Sequence, residues 1–256
     1  MTTTYTQSLG GFDVGRVIQR TFGAIGENWM VFLGSAAILV GLPSLLSSHG
    51  QTTMLDGIGS GSGGWFFFAG SVLTWIGTYI LQGVVLFVTI SRLNGKSVDI
   101  GQAFAAGLRF FFPILGVSIL TGLGVALGMI LLVVPGIILS IMWVVAVPVV
   151  VAEKVGVMGS LQRSRDLTRG NRWKIFGLIV IYVIAASVIN MALGGVGGAM
   201  AGSVATPGAP AALLAVTALV AVVTAVISAA GAALIYYELR SSKEGVGAEQ
   251  IASVFD

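Results

Sequence analysis

The chain has 256 residues, 56% of them hydrophobic and only 9% charged, with a formal charge of +3 and a mean hydropathy of +0.99. A soluble globular domain carries about 25% charged residues, so a water-facing fold is excluded and an integral membrane protein is indicated. Cysteine is absent and His49 is the one histidine. This excludes disulfides, a thiol nucleophile and a thiolate metal site, and a net charge this small does not support binding to nucleic acid.

The first sixteen residues are polar and lack the basic-then-apolar order of a signal peptide, so the first apolar run is expected to stay in the mature protein. Residues 12–28 read as an amphipathic helix. At 100° per residue Val14, Val17, Ile18, Phe22 and Ile25 form one apolar stripe, with Arg16, Gln19, Arg20 and Gly23 facing away. Asp13 is placed as its N-cap.

A bilayer core needs about 20 apolar residues per helix, and six spans follow. The first is 29–47, closed by Pro43, and the second is 65–90. A second amphipathic helix, 98–109, is capped by Asp99 and leads into the uncharged stretch 110–152. Pro135 and Gly136 there predict a tight turn, hence a hairpin of spans 110–134 and 137–152. A basic helix, 157–170, precedes the fifth span, 173–193. The uncharged Gly/Ala/Pro linker 194–210 is expected to be a loop, in part re-entrant, before the sixth span, 211–237. Residues 238–256 form a tail. The expected fold is an all-α, six-span bundle making one membrane domain.

All thirteen Lys and Arg residues fall on one side of this layout, and the loops 48–64, 135–136 and 194–210 carry none. Basic loops stay cytoplasmic, which predicts an inner-membrane protein with both termini inside. The layout also repeats. Asp13 aligns with Asp99 and Gly15 with Gly101. A shift of the chain onto itself pairs Gly15 with Gly159, Gly26 with Gly170, Trp29 with Trp173 and Phe32 with Phe176. The implied unit, three times over, is an amphipathic helix followed by two spans. Such helices lie at headgroup level, apolar face down.

Over roughly 98–182, "VPGI", Glu153 after the hairpin and "SLQRSRDLTRGNRW", together with the later "YYELR" at 236–240, the chain resembles two families. One is the YciC-like bacterial inner-membrane proteins. The other is the membrane domain attached to some glycerophosphodiester phosphodiesterases, here expected without the catalytic domain. The resemblance implies a membrane fold and no established activity.

Candidate chemistry is sparse. His49 and Asp56 share a Gly/Ser-rich loop, too few ligands for a metal and no catalytic constellation. "GIGSGSGG" lacks the Lys-Ser/Thr of a phosphate loop and reads as a linker. Apart from Lys174 at the start of the fifth, the predicted spans contain no Asp, Glu, Lys, Arg or His, which argues against an ion-coupled transporter. Gln82 and Asn190 are the most polar side chains within them, placed either for interhelical hydrogen bonds or to line a cavity. Ala218, Ala221, Ala225 and Ala232, and separately Gly124 and Gly128, form small faces for close helix contact. Pro148 predicts a kink in the fourth span.

Charge concentrates in one stretch: Arg163, Arg165, Arg169, Arg172 and Lys174 are five of the thirteen basic residues. Topology anchoring and contact with anionic headgroups account for them at about 1 kcal/mol each, with an Arg163–Asp166 pair three residues apart. A specific lipid or protein-partner site is the alternative. The expected role is therefore non-enzymatic and cofactor-free: an envelope scaffold or lipid-binding protein, or a carrier of a lipid or other amphipathic molecule. A wide uncharged cavity at Gln82 or Asn190 would favour the carrier.

Overall fold

Asp13 opens the first helix as expected: its Oδ1 accepts from the Arg16 N–H at 2.7 Å, and α1 (Val14–Glu27) follows. A computed structural model describes residues 11–55, 62–93, 99–202 and 209–245. Asp56, most of the "GIGSGSGG" linker, Lys96, residues 203–208, the tail from 246 and the Asn190 side chain lie outside the described residues. Among the described residues the chain is all-helical, and six helices are long and apolar enough to cross a membrane.

The first span does not close at Pro43. It runs as α2 (Trp29–Ala36), a π-helical turn (Ala37–Gly41) and α3 (Leu42–Leu55). Pro43 has no N–H to offer the carbonyl of Leu39, four residues back, and the wider turn takes up that mismatch. The second span is α4 (Ser62–Leu93). Gly50 and Gly70 let α3 and α4 touch backbone to backbone, and Gly77 lets α4 meet the π-helical turn at Leu39, because a Cβ on any of them would overlap the facing main chain.

Residues 98–109 and the third span are one continuous helix, α5 (Ile100–Leu131). Asp99 caps it through Gly101 N–H at 3.0 Å, and nothing between Leu108 and Phe112 breaks it. Pro113 is carried inside. The hairpin reverses at Leu132, in extended conformation (φ −163°, ψ 144°), and not at Pro135–Gly136. Pro135 instead sits in the first turn of α6 (Val133–Trp143), where its missing N–H costs no helix bond. Gly136 lies on Gly128, and Trp143 covers Gly124, so the small face of α5 does receive its neighbour.

The fourth span breaks at Val144–Val145 and resumes as α7 (Ala146–Glu153). Pro148 therefore stands in a first turn after a break, rather than kinking a continuous helix. The basic helix is α8 (Gly156–Thr168), entered through left-handed Lys154 (φ 51°) and Gly156 (φ 74°) and left through Gly170 (φ 90°). The buried hydroxyl of Ser164 donates to the Met142 carbonyl at 2.8 Å, and Thr168 reaches the same oxygen at 3.5 Å. One face of the "SLQRSRDLT" motif thus ties α8 to the broken span.

The last two helices exceed their expected lengths. α9 (Arg172–Gly202) continues through most of the Gly/Ala-rich linker, since no proline interrupts it before residue 207. α10 (Ala209–Glu244) is the central element. Its Ala218, Val222, Val226, Ala229, Ala230 and Ala233 are buried, and Ala221 and Ala225 pack beside them. The helix also takes in residues 238–244, expected to start the tail.

Candidate functional site

Two carboxylates, one buried and one mostly so, organise one end of the bundle. Glu238, on the last turns of α10, is only 2% exposed and accepts from Arg16 Nη1 at 2.7 Å and Arg20 Nη1 at 3.0 Å. Arg20 also lies over the Tyr237 ring, 5.5 Å from its centroid. The apolar stripe of α1 is therefore not opposed by a wholly wet basic face. Gln19 and Gly23 are exposed, whereas Arg16 and Arg20 turn inward, because a buried carboxylate requires a paired charge. On the other side Phe22 remains exposed.

The second carboxylate is Glu153. It accepts from Arg163 Nε at 2.8 Å and from the Tyr236 hydroxyl at 3.1 Å. Arg240 donates to that hydroxyl at 2.9 Å and to Glu244 at 3.2 Å, and Glu244 also holds Arg163. Burial opposes the charge on Arg163, but the hydrogen bonds and fields of Glu153 and Glu244 outweigh it and raise the guanidinium pKa. Arg163 pairs with these two glutamates rather than with Asp166, whose backbone carbonyl accepts from Lys243 at 2.6 Å. Lys174 donates to the Phe12 carbonyl at 2.9 Å. Arg163 and Lys174 thus serve the fold.

The remaining three arginines do not. Arg165, Arg169 and Arg172, with Gln162 and Asp166, line a polar pocket of about 500 Å³ where α8 turns into α9. Arg165 and Arg169 are exposed. Arg172 Nε is enclosed and has no acceptor. None of the three takes part in an ion pair among the described residues.

Gln82 lies elsewhere, in a groove of about 840 Å³ bounded by α1, α4, the broken fourth span, α9 and α10. Along α10 the lining runs from Leu219 to Ile235, about 24 Å of helix. Ile181 and Ile189 on α9, Leu219 on α10 and Phe22 on α1 line it and are also exposed, so the groove opens on the flank of the bundle between α9 and α10. The hydroxyls of Thr21 and Ser140 in its wall donate to carbonyls of their own helices. The Gln82 amide oxygen is enclosed without a partner. The groove exists because α9 stands away from the bundle. Ile175 is fully buried at its start, while Ile181, Val183, Ile184, Val188 and Ile189 are exposed.

The sequence reading missed the two carboxylates. The one available signal was their position: one acid inside "YYELR" and one directly after the hairpin. No group of three or more metal-ligating side chains occurs among the described residues.

Residues 66–201 match the model of an uncharacterised protein family, UPF0259. The chain belongs to that family. The match agrees with the YciC-like resemblance and not with the membrane domain of glycerophosphodiester phosphodiesterases. It covers Gln82, Glu153 and the whole basic stretch, whereas α1 and α10 lie outside it. No solved structure matches the chain.

Proposed function

We propose that this protein binds a lipid, or another amphipathic molecule of that class, in the groove between α9 and α10, as a non-enzymatic multi-pass protein of a bacterial inner membrane. The observation that carries this reading is the groove: its volume is within the range of about 300–1,000 Å³ typical of ligand sites, its wall is apolar, and it opens where the spans meet lipid. The unpartnered amide oxygen of Gln82 offers one acceptor for a hydroxyl group part-way along the groove. An acyl chain is the occupant an opening at this depth would meet first.

A bulky side chain in the groove should expel the occupant. Ala185→Trp, in the lining, is expected to lower the lipid retained through purification in mild detergent severalfold. Val188→Trp, on the exposed side of α9, should leave it unchanged. Lipid mass spectrometry reads both, and equal retention in the two variants would sink the proposal. A carrier role is the second reading. It is favoured by the length of the groove along α10 and by Gln82, which would lower the cost of passing a polar group.

Topology is proposed from charge. With all thirteen basic residues on one side, both termini are cytoplasmic, and the exposed Trp29 and Trp173 fit the interfacial belt on that side. Cytoplasmic reporters fused after Gly95, Gly170 and Asp256 should be active. Reporters near Gly59 or Gly202 should read periplasmic, and a cytoplasmic reading at Gly59 would overturn the orientation. The repeat of amphipathic helix and span pair is proposed on the same footing. Asp13 and Asp99 both cap helices, and Trp29 and Trp173 both stand at the start of a span.

A further inference from the structure

We propose that Arg165, Arg169 and Arg172, with Gln162, form a binding site for a phosphate-class group, presented by an anionic phospholipid headgroup or by a free phosphate monoester. Subtraction brings out the site. Of the five basic residues in the stretch, Arg163 and Lys174 are taken up by Glu153, Glu244 and the Phe12 carbonyl. The other three converge on one pocket with a single carboxylate, Asp166, and Lys243 adds a further positive charge beside it through its bond to the Asp166 carbonyl.

The donors also lack acceptors. Arg172 Nε is enclosed and unpartnered, although leaving a buried donor without a partner carries a desolvation cost. An anion seated in the pocket would relieve that cost. Arg172 is the first residue of α9, so the pocket adjoins the positive end of a long helix dipole, where anions are favoured. A carboxylate has two oxygens, both in one plane. A tetrahedral phosphate presents oxygens in several directions and can engage several forks at once. Trp173, beside Arg172 and 86% exposed, has the amphipathic ring that sits at headgroup level. That places the pocket where phospholipid phosphates are. The pocket shares no lining residue with the groove, so occupancy of one does not presuppose the other.

The test uses the full-length protein in neutral nanodiscs and in detergent. Two probes are titrated: phosphatidic acid added to phosphatidylcholine, and soluble glycerol phosphate. Single variants Arg165→Lys, Arg169→Lys and Arg172→Lys keep the charge but remove the fork. Arg92→Lys, an exposed cation outside the pocket, is the control, and Ala185→Trp reports any lipid bound in the groove instead. Binding of either probe is expected to weaken about tenfold, equivalent to about 1.4 kcal/mol, in Arg172→Lys and at least one other pocket variant, and not in Arg92→Lys. Preference for phosphatidic acid would assign the headgroup as the source, and equal binding of glycerol phosphate would assign the free monoester. Equal losses in every Lys variant, Arg92→Lys included, or binding kept in all of them and abolished by salt, would reduce the site to generic attraction and overturn it. So would failure to bind either probe. Loss in Ala185→Trp with the lysine variants intact would place the lipid in the groove and also overturn the pocket.

Discussion

Replacing Arg16 and Arg20 together by Gln is expected to cost more stability than any other change to the charged end of the bundle. The reason lies in which partner can reach water. Glu238 is 2% exposed, while Arg16 and Arg20 are 31% and 27% exposed. Removing both arginines leaves a buried carboxylate unpaired, a loss of about 3–5 kcal/mol. Removing the carboxylate by Glu238→Gln frees two arginines that can turn outward, and the expected cost falls to about 1–2 kcal/mol, near that of lost charge-assisted hydrogen bonds. Each single Arg→Gln should cost less again, because the other arginine still holds Glu238. The order double, then Glu238→Gln, then singles can be read from unfolding in mixed micelles. In the double variant, hydrogen exchange over 14–27 should also rise, because the guanidinium–Glu238 pairs fasten α1 to α10. Equal, additive losses from the two single variants would show that Glu238 does not act as a shared partner.

That prediction was not open to the sequence reading, and the reason is physical. Hydropathy finds where a chain must leave water, so six spans were legible. It does not show how far a helix continues beyond the membrane. The tail expected after Tyr237 is still helix through Glu244, and this extension carries Glu238, Arg240 and Glu244 onto the network. Amphipathic spacing showed an apolar stripe on α1 but could not separate arginines that meet water from arginines that meet a carboxylate more than two hundred residues away. Periodicity likewise read Pro135–Gly136 as the hairpin turn, because proline and glycine favour turns. The reversal at Leu132 depends on Gly136 lying against Gly128, a tertiary contact with no local signature.

The candidate sites were legible to a different degree. The cluster 163–174 stood out by charge, yet only the structure divides it into two residues that serve the fold and three that remain available. Gln82 stood out as polar among apolar neighbours, with interhelical bonding and cavity lining both open. Its enclosed, unpartnered oxygen in the groove wall favours the cavity. The groove could not be read from the chain, because it arises from the way α9 is held. The first turn of α9 is fixed by Ile175 and by the Lys174 bond to Phe12, and beyond it the helix stands off.

The other large effect expected is steric and lies away from either site. Gly77 on α4 faces the bend of the first span, where an ideal Cβ would stand 1.7 Å from the Leu39 carbonyl oxygen and 2.6 Å from its carbon. Those are backbone atoms within the π-helical turn that accommodates Pro43, so they cannot rotate away as a side-chain tip could. Gly77→Ala must therefore push the first span and α4 apart, and Gly77→Val more so. Overpacking a close-fitted core costs about 1–3 kcal/mol and occasionally more. The upper end is expected here, because the displaced helix pair also carries the Gly50 and Gly70 contacts. Gly231 on α10 supplies the comparison: it lines the groove, and a Cβ there meets nothing within 4 Å. Gly231→Ala should be neutral or slightly stabilising, since alanine favours a helix over glycine by about 1 kcal/mol. Thermal unfolding of both variants in one detergent reads the contrast. Gly77→Ala matching wild type would mean that the first span and α4 do not meet at Leu39, and the account of how Pro43 is accommodated would fall with it.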